Sequence, residues 1–556
     1  MTYFLYIFLV SSIFSQSWYN HPELIWKTYE TEHFIFHYHE GTENTVSEAA
    51  IVAENIYKPI TDYYDFRPKT KTTIIIKDTD DYANGTAYYY DNKLEIWALP
   101  LDFDLRGSHR WLQNVITHEF THIIQIGKSM KITTRIPAFY FQGFSYEDEK
   151  RDDVLYGYPN KMFSIPLPGV AVPPWLAEGT AQYMNPDLYY DFWDSHRDML
   201  LRDLVINEKV LTFDEMNSFG KKGIGSEAVY NQGFSFTEYI SERFGSDVLP
   251  KISNSLSKET YSINKAIYNS TGIKGYELYD SWLLNIKEKY RKNLAKVSDK
   301  NITGKIIENE GTTNLYPKFS PNSEKIAFIS NKDNDYFGQT DLFVYSLKDS
   351  SSKKILSGVK YAPSWANDTS LIFSMRSKPN NNGSKYFDIY FSGLNMEEPI
   401  RLTNESRLRS PIYNSKDSLI AAVSTIDGQS NIFIGKLDLN NVSKEYLKKN
   451  SIEFIKVSNF NNLEYISSIS WGENSNILMD IIKDHGRDIY SIQVDIKNNA
   501  LSNVIEVFNN KNDLRNPIAD NGLLYFSNDY NGVFNISYQN NNNEFKFLTN
   551  VFGGAF

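Results

Sequence analysis

A short block of residues returns five times after position 304 and restricts the second half of the chain to very few folds. The first copy runs Pro317-Lys318-Phe319-Ser320-Pro321-Asn322, then Lys325-Ile326-Ala327-Phe328-Ile329-Ser330, then Asp341-Leu342-Phe343-Val344-Tyr345. Later copies place Leu371-Ile372-Phe373-Ser374 before Asp388-Ile389-Tyr390, and Leu419-Ile420-Ala421-Ala422-Val423 before Asn431-Ile432-Phe433. Ile477-Leu478-Met479 precedes Asp488-Ile489-Tyr490, and Leu523-Leu524-Tyr525-Phe526 precedes Asn535-Ile536-Ser537. The Asp/Asn anchors are spaced by 47, 43, 57 and 47 residues. About four short apolar runs per copy, separated by Asn, Ser, Asp and Gly, is the pattern of propeller blades. An irregular β-sandwich is the competing reading.

Residues 18–300 have a different texture, with strands mixed among long helical periods such as Met199 to Val210 and Tyr230 to Phe244. The expected architecture is therefore an α+β domain over 18–300 followed by an all-β propeller of about five visible blades over 301–556. Leu548-Thr549-Asn550 resembles Leu402-Thr403-Asn404 ahead of the third copy. Two endings follow: five blades close by pairing 305–307 with 545–547, or the sequence is a piece of a longer protein. The second is the expectation, because an unpaired blade edge is an aggregation hazard.

The chain has no cysteine, so disulfides, thiol nucleophiles and thiolate metal sites are excluded. Any metal must be held by carboxylates and the nine histidines. The net charge of −11 disfavours a nucleic-acid or anionic-membrane binder. Residues 1–14 are almost wholly apolar and too short to span a bilayer, and Ser15-Gln16-Ser17 offers small residues for cleavage. Residues 1–17 are expected to be a signal peptide and the mature chain to be exported, periplasmic or extracellular, with no transmembrane helix. A buried N-terminal strand is the alternative.

Thr117-His118-Glu119-Phe120-Thr121-His122 contains HExxH. On a helix His118 and His122 project from one face and can share a metal, while Glu119, about 100° away, can reach a water beside it. Ser108 is a plausible N-cap, Leu112, Val115, Ile116, Ile123 and Ile124 form an apolar stripe, and Gly127 can end the helix. A catalytic zinc needs a third protein ligand and an open position. Gln125 and Lys128 rule out the metzincin pattern, and Glu149 to Asp153 lies in a charged run with no apolar stripe. The better third candidate is Glu178 in Pro173-Pro174-Trp175-Leu176-Ala177-Glu178-Gly179, where paired prolines open a helix and small residues permit close approach.

With these residues in place, His118-Glu119-x-x-His122 followed by Trp175-Leu176-Ala177-Glu178-Gly179 resembles the gluzincin, "MA-like" branch of zinc peptidases. That resemblance implies one catalytic zinc held by His118, His122 and Glu178, with Glu119 as general base and a peptide or protein as substrate. Tyr230, opening a helix after Glu178, resembles a position where gluzincins place a phenol on the oxyanion; a packed core tyrosine is the other reading. The strand Asn92 to Ala98 is either the substrate-pairing edge strand of such a domain or an ordinary core strand. The repeat elements resemble TolB-like propellers, which implies a protein partner on the propeller or a role in substrate access. His37 and His39 share a strand face and read as a solvated face rather than a site.

Two other functions compete. A serine hydrolase is excluded because no Gly-x-Ser-x-Gly occurs. A catalytically inactive periplasmic scaffold stays open, although base and ligand candidates are all present.

Overall fold

The computed structural model describes residues 21–101, 109–131, 139–146, 159–167, 169–183, 193–220 and 223–297. It also describes 300–555 apart from 335–337, 440–444, 446, 448–449, 462–463, 483–485, 495–502, 509–510 and 541–543. The proposed signal peptide and the Ser108 cap lie outside the described residues, as do Glu149 to Asp153.

The first half begins with β1 (Trp26–Glu30), β2 (Phe34–His39), helix α1 (Glu43–Tyr64), β3 (Thr72–Lys77), β4 (Gly85–Tyr88) and β5 (Lys93–Trp97). The five strands form one sheet in the order β1-β2-β3-β5-β4. β2, β3 and β5 run parallel, while β1 and β4 are antiparallel to their neighbours. Alternation explains the sheet: Phe34, Phe36, Ile74, Ile76, Leu94 and Ile96 are fully buried on one face. Against that face pack α1 and helix α2 (Trp111–Ser129), through Ala49, Ala53, Ile56, Ile116, Phe120 and Ile124.

Three sequence expectations change here. β5 is an interior strand and β4 is the edge, so the strand at 92–98 has no free side for a substrate. Helix α2 starts after Arg110, two residues beyond the expected start. Gly127 lies inside the helix instead of ending it: a Cβ there would stand 2.6 Å from the Phe66 ring, so the glycine makes room for that aromatic.

After a hairpin of β6 (Phe139–Tyr146) and β7 (Pro159–Leu167) the chain becomes helical. The helices are α3 (Pro174–Tyr183), α4 (Ser195–Ile206), α5 (Glu227–Phe244), α6 (Val248–Lys258), α7 (Ile263–Thr271) and α8 (Gly275–Val297). They share a core built on Trp175, Val229, Phe236, Ile252, Leu278 and Trp282. Pro174 is the first residue of α3, where its missing N–H costs nothing.

Residues 314–547 form five consecutive four-stranded antiparallel sheets, the blades of a propeller. Blade 1 spans 314–357, blade 2 364–401, blade 3 408–456, blade 4 465–508 and blade 5 514–547. Apolar clusters fill the seams between successive blades, such as Ile329 with Trp365 and Phe373, and Val423 with Ile469 and Met479. Segment 305–307 does not pair with 545–547. The latter pairs with its own blade at Ser537 to Gln539, and Ile306 is exposed. What joins the two ends is an Ile302–Asn550 bridge. Beyond it Phe552 enters the helical core, where the guanidinium of Arg202 donates to its carbonyl at 2.7 Å.

The two halves meet through the loop after β3. Arg407 of blade 3 donates to both carboxylate oxygens of Asp78, at 3.0 and 2.6 Å, and to Asp81 at 2.7 Å. Asp80 and Asp81 accept the backbone N–H groups of Lys385 and Phe387 of the propeller. Asp427 accepts from the N–H groups of Asn44 and Thr45 at the start of α1.

Candidate metal centre

Helix α2 carries His118 and His122 one turn apart, and α3 brings Glu178 to face them. His118 Nε2 lies 3.0 Å from Glu178 Oε2, His122 Nε2 lies 3.3 Å from the same oxygen, and the two Nε2 atoms are 3.1 Å apart. All three residues form a group able to hold a metal ion. A tetrahedral ion with bonds of about 2.0–2.1 Å needs ligand atoms about 3.3–3.4 Å apart. The observed spacing is within a few tenths of an ångström of that, so the donor set and geometry fit a divalent ion. Both imidazoles are nearly buried, at 8% exposure.

The electrostatics depend on convergence. Burial pushes the Glu178 carboxyl up, but the imidazole of His122 and hydrogen bonds from both histidines outweigh it and hold the group well below the usual range. Burial pulls His122 down, and the Glu178 and Glu119 carboxylates carry it above the usual histidine value.

Two glycines set how closely α3 approaches α5. A Cβ on Gly179 would stand 2.3 Å from the Gly233 carbonyl oxygen, and one on Gly233 would stand 2.5 Å from that of Trp175. The helices therefore touch backbone to backbone, directly beside Glu178 and one turn from Tyr230. The Tyr230 ring stacks on His118 with centroids 6.2 Å apart and planes at 18°. Gln125, one turn beyond His122, donates to the Leu176 carbonyl at 3.3 Å and to Thr180 Oγ1 at 3.2 Å, tying α2 to α3.

Glu119 is buried and points toward the edge strand. A Cβ on Gly85 would stand 3.1 Å from Glu119 Oε1 and 2.3 Å from Val115 Cγ2. The backbone of β4 thus passes directly against this carboxylate. Sequence reasoning missed β4, and a lone Gly85 ahead of Thr-Ala-Tyr was its only signal. His37 and His39 are apart from the centre: His37 pairs with Thr28 Oγ1 at 3.0 Å, and His39 accepts the Asp78 N–H at 3.2 Å.

No family model matches the chain, and no curated protein matches it. Solved structures do. TolB from Acinetobacter baumannii is 15% identical over 42% of this chain and 53% of its own, with a TM-score of 0.30. The putative TolB from Agrobacterium tumefaciens is 12% identical over 45% and 86%, with a TM-score of 0.33. The propeller domain of the Trilobed protease from Pyrococcus furiosus is 12% identical over 42% and 81%, at 0.28. This chain thus spans about half the length of the first of these, at 53%. The five sheets themselves, rather than these likenesses, define the propeller. No helix among the described residues is long and apolar enough to cross a membrane.

Proposed function

We propose that the protein is an exported zinc-dependent peptidase of the gluzincin type, with the propeller governing substrate access or binding a protein partner. The observation that carries this reading is the convergence of His118, His122 and Glu178 within 3.0–3.3 Å beside a buried Glu119. Zinc bound there supplies a Lewis acid that lowers the pKa of a coordinated water to about 7 and polarises a carbonyl.

The remaining work falls to the chain. The outer edge of β4, which pairs with no strand among the described residues, offers backbone N–H and C=O groups to an extended peptide, which adds as a sixth strand with its scissile bond near Gly85. Glu119 accepts a proton from the attacking water and delivers it to the leaving amine. Tyr230, whose ring lies beside His118, is the proposed donor to the developing oxyanion. Gln125 holds α2 to α3, and the Gly179–Gly233 contact holds α3 to α5. The deciding experiment measures metal content and then cleavage of a diverse peptide pool. Stoichiometric zinc with metal-dependent cleavage is expected; a zinc-loaded protein that cuts nothing would leave a non-catalytic scaffold.

A further inference from the structure

A cavity of about 300 Å³ is lined by the first strands of blades 1, 3, 4 and 5, by residues 361–363 just ahead of blade 2, and by the second and third strands of blade 5. Its wall is built in a repeated way. Pairing slips between the first and second strands at Tyr316-Pro317 in blade 1, Ser410-Pro411 in blade 3, Ser467 in blade 4 and Asn516-Pro517 in blade 5. Tyr316, Ser410 and Asn516 hold φ of 57°, 52° and 53°. A proline after each removes a ladder donor, and the bulge re-aims the strand locally, with Tyr316 packed against the apolar seam between blades 1 and 2. Bulges that recur at one level of a barrel are features of a site rather than accidents of folding.

Among the described residues Lys318 is the one charged residue lining this cavity, and no acidic residue lines it. Lys318 makes no ion pair among the described residues, and desolvation pulls its ammonium below the usual lysine value. Lys318 is half-buried, and an ammonium partly withdrawn from water with no acidic neighbour among the described residues lining the cavity favours a bound anion. The rest of the wall is mixed: Tyr361, Ile412, Ile469 and Tyr525 are apolar surfaces among serines and Asn516. A single cation without an arginine fork suits a monoanion better than phosphate. The volume is at the low end of small-ligand pockets, ~300–1,000 Å³.

We propose that this cavity of the propeller is a binding site for a monocarboxylate carried on an apolar body, with Lys318 as its counter-ion. The proposal stands apart from the metal centre and does not depend on catalysis there. Two sources carry this chemistry, the free C-terminus of a peptide and a free alkyl acid.

Binding is measured by calorimetry on the full chain carrying Glu119→Gln, so that no peptide is consumed. The probes are an N-acetylated tetrapeptide pool with apolar last residues as free acids, the same pool as C-terminal amides, and octanoate. Free-acid peptides that bind at least tenfold tighter than the amides assign the site to peptide ends; octanoate binding without peptide binding assigns it to free acids. Lys318→Met should remove binding in either case and Lys318→Arg should retain most of it. Equal binding of acids and amides, undiminished binding by Lys318→Met, or no binding by any probe would overturn the proposal. If Lys318→Met does not fold, the acid–amide comparison on the chain with Lys318 intact still decides.

Discussion

The carboxylate of Asp427 caps a helix whose second residue, Asn44, donates its backbone N–H to it at 2.8 Å across 383 positions of sequence. Helix α1 has no side-chain cap of its own, since Thr42 at the N-cap makes none. A donor set normally satisfied locally is satisfied here by the other half of the molecule. Together with Arg407, this makes the propeller part of the support beneath the sheet that carries β4.

That support should be measurable. Arg407→Met leaves Asp78 and Asp81 buried at the junction without their cation, and breaking a buried pair in this way costs about 3–5 kcal/mol. Urea unfolding should show the loss, together with faster proteolysis between 298 and 313. Unchanged stability would mean that the halves are held by other contacts.

The metal centre makes a paired prediction. On the proposed reading, Glu178→Ala removes one of three proposed ligands and should abolish zinc retention, whereas Glu119→Gln should keep stoichiometric zinc and cut peptide cleavage by ~10²–10⁴. Metal analysis and turnover on the same samples separate the two roles. Full zinc occupancy in Glu178→Ala would contradict the ligand assignment.

Gly233→Ala tests the backbone contact between α3 and α5. In an ordinary helix interior this change gains about 1 kcal/mol. Here the added methyl meets the Trp175 carbonyl at 2.5 Å, so a net loss of about 1–3 kcal/mol is expected. Denaturant midpoints decide the sign, and a stabilised variant would mean that the helices separate freely.

Glu238 gives stability a pH dependence. Burial and the neighbouring Glu242 carboxylate push it up to about 7, with Lys289 and Arg197 opposing. Between about pH 4.5 and 7 the unfolded chain ionises this group while the folded chain keeps its proton, so stability falls as pH rises through that window. The contribution is fully present below about pH 4.5 and amounts to about 1–3 kcal/mol. Glu238→Gln should therefore gain on the parent more at pH 8 than at pH 5, and an identical difference at both would exclude the mechanism.

The propeller was legible because each blade is a local unit whose Asp/Asn anchor and apolar runs recur in order. His118, Glu119 and His122 were legible because helical geometry alone places them, and Glu178 because Pro174 and the small residues around it mark a helix built for close packing. The edge strand was not. Gly85 to Tyr88 is short and half-buried, and its place at the rim comes from β5 inserting between it and β3, a pairing that no local pattern encodes. Gly127 misled for a related reason: its neighbour is Phe66, far away in sequence. The clamp of Asp78 and Asp81 on Arg407 spans more than 300 positions and leaves no signal in either segment.

Phe552 has a consequence for how the molecule is made. The helical core that packs Trp175 against Trp282 also takes in this ring, which is synthesised some 270 residues after Trp282. At about 5–20 residues per second, a ribosome needs roughly 15–55 s to deliver it. For that interval the helices wait with an apolar socket unfilled and Arg202 without the carbonyl it will bind. Final closure of the helical core is therefore timed by the last blade rather than by its own helices.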